Sequence, residues 1–274
     1  MLWNELTFAE YVIKRATSRW YYGFMFAACA IIYCVAQTEG PDMARTLAQN
    51  RASIFTVCDF FTLIMVIAVS ATEIPGDIAS KVIFIILSKP VDKSEIVVGK
   101  FLGVFGLGVL SGFIMWVVGM GCLWAYGLAP DAIYFQQGGF LFCRILLTAA
   151  IATLFSTFLS ETPTIAFSVG YLVLSYFVHY IRVLMESGKI GYTVGTKIVF
   201  SLLYYMIPNM RFMDAPQLAD AAPGSAQKAA EAGVDFASGL ASWPHFGLAL
   251  VYAMIYSGLL LFVAIRFFSS RRVA

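Results

Sequence analysis

The sequence predicts an all-α membrane protein with six transmembrane helices, and three observations carry that prediction. The first is composition. Of 274 residues, 60% are hydrophobic and only 12% are charged, whereas a soluble domain carries about a quarter charged residues. The mean hydropathy of +0.81 agrees. The second is segmentation: long apolar runs recur, each close to the roughly 20 residues that a helix needs to cross a bilayer. The third is periodicity, because the runs lack the short period-two alternation of a transmembrane β-barrel. The same arithmetic excludes an ordinary soluble enzyme and a disordered tail. A net charge of +2 is too small for the electrostatic footprint of a nucleic-acid binder.

The chain opens on an amphipathic segment. Leu2, Leu6, Ala9, Ile13, Ala16 and Trp20 recur at helical spacing, with Glu5, Glu10, Lys14 and Arg15 on other faces. This pattern predicts a helix lying on the membrane surface and anchored by Trp3 and Trp20; a solvated lead-in to the first span is the plainer alternative. These early charges also argue against a cleavable signal. Six spans follow, at about residues 20–38, 53–72, 96–128, 138–160, 162–185 and 245–268. A linking segment, 73–95, joins the second and third spans, and a long segment, 186–244, joins the fifth and sixth. Within the latter, Ile198 to Ile207 is apolar but too short to cross, and Pro208-Asn209 stops it. A short re-entrant or interfacial helix fits. Asp214 to Trp243 is rich in Ala, Gly and Pro and reads as an exposed loop.

Basic residues in the short loops orient the spans. Lys14, Arg15, Arg19, Lys81, Lys89, Lys93, Lys100, Arg266, Arg271 and Arg272 fall on one side; Arg45, Arg51, Arg144 and Arg182 fall on the other. The richer side is expected in the cytoplasm, with both termini there. Cys29, Cys34, Cys58, Cys122 and Cys143 all lie in apolar segments without a CxxC pair, and read as small buried residues.

The link between spans two and three is the most informative stretch. Pro75-Gly76 is expected to end the second helix. Asp77 to Leu87 then forms a short coupling helix with Asp77 at its positive end. Ser88-Lys89-Pro90 breaks that helix, and Asp92 with Glu95 has capping-box spacing for the next one. The expected product is a helix-turn-helix with charges facing water and Ile78, Val82, Ile85 and Ile86 available to pack. It would serve to dock a cytoplasmic partner, or only to pack on the membrane surface.

These residues carry a resemblance. Asp77-Ile78, Ile83, Ile86-Leu87-Ser88-Lys89-Pro90-Val91 and Gly99-Lys100-Phe101-Leu102-Gly103 resemble the signature of type-2 ATP-binding cassette (ABC-2) transporter permeases. Ala79, Val82 and Asp92-Lys93 depart from that signature. Leu154 to Ser160 and Ile207-Pro208-Asn209, with Phe212 and Asp214 following, are similar to two further stretches of the family. The resemblance implies the membrane-spanning permease subunit of an ABC exporter in a bacterial inner membrane, paired with a second permease subunit as a homodimer or heterodimer. A separate cytoplasmic ATPase would hold ATP and magnesium, and this chain would bind no cofactor itself. The ATPase-coupling residues would be Asp77, Lys81, Ser88, Lys89, Pro90, Lys93, Gly99 and Lys100. A non-transporting anchor that recruits an ATPase for cell-surface assembly or periplasmic enzyme maturation is the alternative.

The chain's own chemistry is sparse. A P-loop requires Gly five residues before Gly-Lys and Ser or Thr after it; Gly99-Lys100 has Ser94 and Phe101 in those places. His179 and His245 form no metal-ligand pattern, so no catalytic or metal site is expected. Asp59 and Arg144 are charges inside spans, where an unpaired charge costs several kcal/mol. They predict an ion pair near an outer gate, or else two side chains reaching separately to the headgroups. His179, Arg182 and Glu186 share a face and read as an interfacial anchor or a proton relay. Gly99 with Gly103 and Gly108 with Gly112 have the GxxxG spacing of close helix contacts, within the chain or at a dimer seam. Met206, Met210 and Met213 could offer thioethers to Cu(I), but read as packing.

Overall fold

The structure is a computed structural model that describes residues 2–17, 31, 43–82, 91–125, 132–186, 207–213, 234–235, 240–241 and 243–270. Six α-helices organise these residues: α1 (Leu2–Thr17), α2 (Met43–Ala79), α3 (Lys93–Ala125), α4 (Ala132–Ser156), α5 (Glu161–Glu186) and α6 (Trp243–Ser270). A single 3-10 turn, Met210–Met213, precedes α6. Among the described residues of 186–244, β1 (Val234–Asp235) pairs antiparallel with β2 (Leu240–Ala241).

Among the described residues, four helices are long and apolar enough to cross a membrane: the Phe55–Ala79 part of α2, Lys93–Trp124 of α3, Tyr134–Ser156 of α4, and all of α6. At about 1.5 Å per residue, each reaches or exceeds the roughly 30 Å hydrocarbon core. The chain is therefore built as a membrane-embedded bundle. The fifth expected span forms α5, but it is not among those four. The first expected span lies outside the described residues, apart from Ile31, and so does most of 186–244.

Contacts along the helices set their directions. Ser70 meets Thr153 and Asp59 meets Arg144, so α2 and α4 run parallel. Cys58 donates to the Met115 carbonyl while Lys100 reaches Glu73, so α3 runs against α2. Phe246 packs on Phe140 and Phe267 on Phe158, so α6 runs with α4. The α2–α3 link, the α4–α5 turn and the end of α6 thus share one end of the bundle, hereafter the link end. At that end Lys93 Nζ donates to the Ser269 carbonyl at 3.3 Å.

The core lies where α4 meets α2, α3 and α6. Leu147, Ala149, Ala150, Ile151 and Ala152 of α4 are all buried; its alanines let neighbouring helices approach closely. A smaller apolar cluster of Ile74, Ile96, Val97, Ala264 and Phe268 closes the link end, joined by Phe8 of α1. Outward faces are greasy, as lipid contact requires. Leu248, Val251, Met254, Ile255 and Leu259 of α6 are all at least half exposed.

The glycine spacing on α3 serves packing within the chain. A side chain at Gly103 would sit 2.7 Å from Val12 Cβ and 3.0 Å from the Ala9 carbonyl, so this notch seats α1. Gly108 and Gly112 give the same close approach to Ile145 of α4.

Two expectations about the link are corrected. Pro75-Gly76 does not end the second helix. Pro75 lies inside α2, which continues to Ala79, although proline removes one helical hydrogen bond. Asp77 therefore belongs to α2 and does not open a separate helix. The stop comes later, where Lys81 takes φ 60°. This left-handed conformation is the usual helix terminator; in a non-glycine residue it costs about 1 kcal/mol. The expected coupling helix is described only as far as Val82; Ile83 to Pro90 lie outside the described residues. Past the link, the backbone N–H groups of Glu95 and Ile96 both reach the Asp92 carbonyl, so α3 opens where the Asp92 spacing predicts.

Candidate functional site

One face of the second half of α2 carries polar residues at helical spacing: Asp59, Thr62, Ser70, Glu73 and Asp77. Each turns toward α3 or α4 instead of lipid. Charge collects at the two ends of this stripe.

At the link end, Lys100 of α3 is 1% exposed and meets two carboxylates. Its Nζ donates to Asp77 Oδ2 at 2.5 Å and to the Glu73 carbonyl at 2.7 Å. Glu73 Oε2 lies 3.5 Å away. Glu73 and Asp77 stand one helical turn apart, so an unbroken helix aims both carboxylates at one ammonium. That requirement explains why α2 runs through Pro75-Gly76: breaking it there would leave buried charges uncompensated, at a cost of about 3–5 kcal/mol.

Asp77 also holds α1. Arg15 Nη1 contacts Asp77 Oδ1 at 2.5 Å. Burial works against the Arg15 charge, but the Glu73 and Asp77 carboxylates outweigh it and hold the guanidinium more firmly protonated than usual. Gly76 makes room for this contact. A side chain there would meet Arg15 Nη2 at 3.1 Å and Glu161 Oε1 of α5 at 3.3 Å. The junction thus gathers α1, α2, α3 and the first turn of α5 directly behind the link.

At the other end of the stripe, Arg144 Nη2 of α4 lies 2.7 Å from Asp59 Oδ2 of α2. Arg144 is 2% exposed, so the pair belongs to the interior of the bundle, not to separate headgroup contacts. Ser70 and Thr153 hydroxyls, 3.5 Å apart, bridge α2 and α4 between the two charged ends.

The residues expected to couple to an ATPase divide into three groups. Asp77, Gly99 and Lys100 are buried; the expectation that the Asp77 charge faces water is corrected, because Lys100 and Arg15 enclose it. Lys81 is exposed and Lys93 is half-buried, at the rim of the link. Ser88, Lys89 and Pro90 lie outside the described residues, as do the side chains of His179, Arg182 and Glu186. Met210 and Met213 are fully buried in the main core, and Met206 is outside the described residues.

Sequence reasoning missed Arg15, Glu73, Gly76 and Glu161 as members of the junction. Glu73 and Asp77 at spacing four were a legible signal. That Arg15 answers them from 62 positions away was not.

The junction is a network of ion pairs in which Lys100 and Arg15 face Glu73 and Asp77, with Glu161 beside them above Gly76. Compared with known proteins, the chain matches no family model and no curated protein.

Proposed function

We propose that the chain is the permease subunit of an ATP-binding cassette exporter. It would cross a bacterial inner membrane six times with the link end in the cytoplasm, and it would take its energy from a separate ATPase. A second permease subunit would complete the pathway. The observation that carries this reading is the ionic junction itself, because it fastens α1, α2 and α3 immediately behind residues 80–92. A force applied to that link would reach two candidate membrane spans close to the buried ion pairs that join them. The resemblance of the link and of the stretch around Gly99 to Gly103 to the ABC-2 signature supports the same assignment. Under this reading Asp77, Gly99 and Lys100 stiffen the attachment, while Lys81 and Lys93, with the segment around Ser88 to Pro90, meet the ATPase. The Asp59–Arg144 pair would close the far end of the bundle as an outer gate.

The test is affinity purification of the tagged full chain from its own membranes. A nucleotide-binding ATPase subunit should co-purify, and the double reversal Lys81→Glu/Lys93→Glu should lower its recovery at least tenfold while the chain still elutes as a single species. Purification without any ATPase overturns the proposal. An ATPase that co-purifies but shows no substrate-stimulated hydrolysis in vesicles makes the chain an anchor instead.

A further inference from the structure

Most buried hydroxyls of the bundle answer their apolar surroundings in one way. Thr62, Ser111, Ser156, Thr164, Ser175 and Ser257 each donate to the carbonyl three or four positions earlier on their own helix. That bond occupies the hydroxyl proton without help from a neighbour. Thr148 of α4 and Ser168 of α5 do not make it. Both residues are 1% exposed, and neither hydroxyl has a hydrogen-bond partner among the described residues. A buried hydroxyl left unpaired is costly, so these two require a partner from outside their own helices.

The two belong to one region. Ser70 of α2 is level with Thr153 of α4, and Thr148 lies five residues before Thr153, about 7.5 Å along the axis. α5 starts beside Gly76 of α2, where Glu161 Oε1 stands 3.3 Å from the place a side chain would take, and runs away from the link end. Seven residues, about 10 Å, carry it to Ser168; six residues, about 9 Å, carry α2 from Gly76 back to Ser70. Ser168 is therefore level with Ser70 and Thr153. Four hydroxyls collect where α2, α4 and α5 pack together. Ser70 and Thr153 stand 3.5 Å apart, well beyond the usual O–H···O range of about 2.5–3.0 Å.

We propose that this seam binds internal water, held between Thr148, Ser168 and the Ser70–Thr153 pair. Three features select water. The first is chemistry. Each hydroxyl both donates and accepts, which suits a small neutral molecule that does the same and suits neither a cation nor an anion. The second is space. Ala71, Ala149 and Ala152 are fully buried beside these hydroxyls, so the side chains next to them in sequence are small. The third is depth. Ser70 and Thr148 each lie three residues from the middle of the apolar stretches Phe55–Ala79 and Tyr134–Ser156, out of reach of bulk water and headgroups. A buried water with about three polar partners is an ordinary part of a protein interior. Here it gives the bundle a polar site at mid-membrane and lets α5 meet α2 and α4 through an exchangeable contact. The site stands independently of the transport reading.

The experiment uses the full chain in nanodiscs. Brief X-ray radiolysis turns a bound water into a hydroxyl radical where it sits, so adjacent side chains are oxidised even when buried. In water enriched in oxygen-18, mass spectrometry of the unaltered chain should find label on Leu147 and Ile151, which flank Thr148, at least twofold above that on Met210 and Met213. All four are buried, and methionine is intrinsically the more reactive. Thr148→Val keeps the shape and removes the hydroxyl. It should lower the melting temperature by about 2–4 °C, because the water loses a partner, and Ser168→Ala should do the same. The double variant should lose less than the sum, since both residues serve the same water. No excess of label in the unaltered chain overturns the proposal without any variant having to fold. So does a Thr148→Val chain as stable as the unaltered one or more so, the outcome for a hydroxyl that binds nothing. Strictly additive losses overturn it as well.

Discussion

Lys100 carries the largest share of the link-end junction, since one ammonium answers two carboxylates and a backbone carbonyl. Lys100→Met should therefore destabilise the chain by about 3–5 kcal/mol, the range for removing one partner of a buried ion pair. Thermal unfolding in detergent measures this, and adding Asp77→Asn to Lys100→Met should recover part of the loss by removing a stranded charge. Equal stability of Lys100→Met and the unaltered chain would show that the junction holds nothing. At the far end, Asp59→Arg and Arg144→Asp each place like charges together in the interior. Each should lower the yield of folded chain severalfold in size-exclusion profiles, and the double swap should restore most of it. A double swap no better than either single change would disprove the pairing. The Asp59–Arg144 contact was legible in the sequence because two lone charges in apolar spans demand an explanation. The junction was only half legible: Asp77 and Lys100 drew attention, but as surface groups for a partner. Their burial depends on Arg15 arriving from α1, and no local pattern encodes that.

Between residues and bundle stand two helices whose behaviour departs from local rules. α2 keeps its course through Pro75-Gly76 because Glu73, Asp77 and the space above Gly76 all serve neighbouring elements. Gly76→Leu should push Arg15 and Glu161 apart and loosen α1, which faster amide hydrogen exchange across Leu2–Thr17 would reveal. Unchanged exchange would mean that Gly76 is not the seat of that contact. α1 is amphipathic, as its spacing predicts, yet its buried residues Ala9 and Val12 pack on α3. Leu6 and Ile13 remain exposed, at 60% and 37%, and are the part of the helix left for a membrane surface. The raised Arg15 pKa keeps the arginine's side of the docking contact charged at ordinary pH. The stabilisation from a raised basic group is complete below its unfolded pKa and lost only as pH rises through the folded value, which for arginine lies beyond any pH at which the chain operates. Exchange of α1 amides, corrected for intrinsic rate, should thus be the same at pH 6 and pH 8. A marked rise at either pH would mean that another group governs docking.

For the whole molecule, the sequence by itself determined the solvent. A chain with 60% hydrophobic and 12% charged residues cannot coat a globule with polar groups, so its helices must face lipid; apolar run lengths marked six spans, of which four coincide with described helices able to cross. Composition and run length are sums over neighbours in the chain, and such sums need no knowledge of the fold. Only the tertiary structure decided which helices touch and what their charges do. It turned the α3 glycines toward α1 and α4, carried α2 through a proline, and enclosed Asp77 between Lys100 and Arg15. Each of these depends on groups far apart in sequence. A buried charge takes its partner from whichever helix packs against it, and local spacing does not say which helix that is.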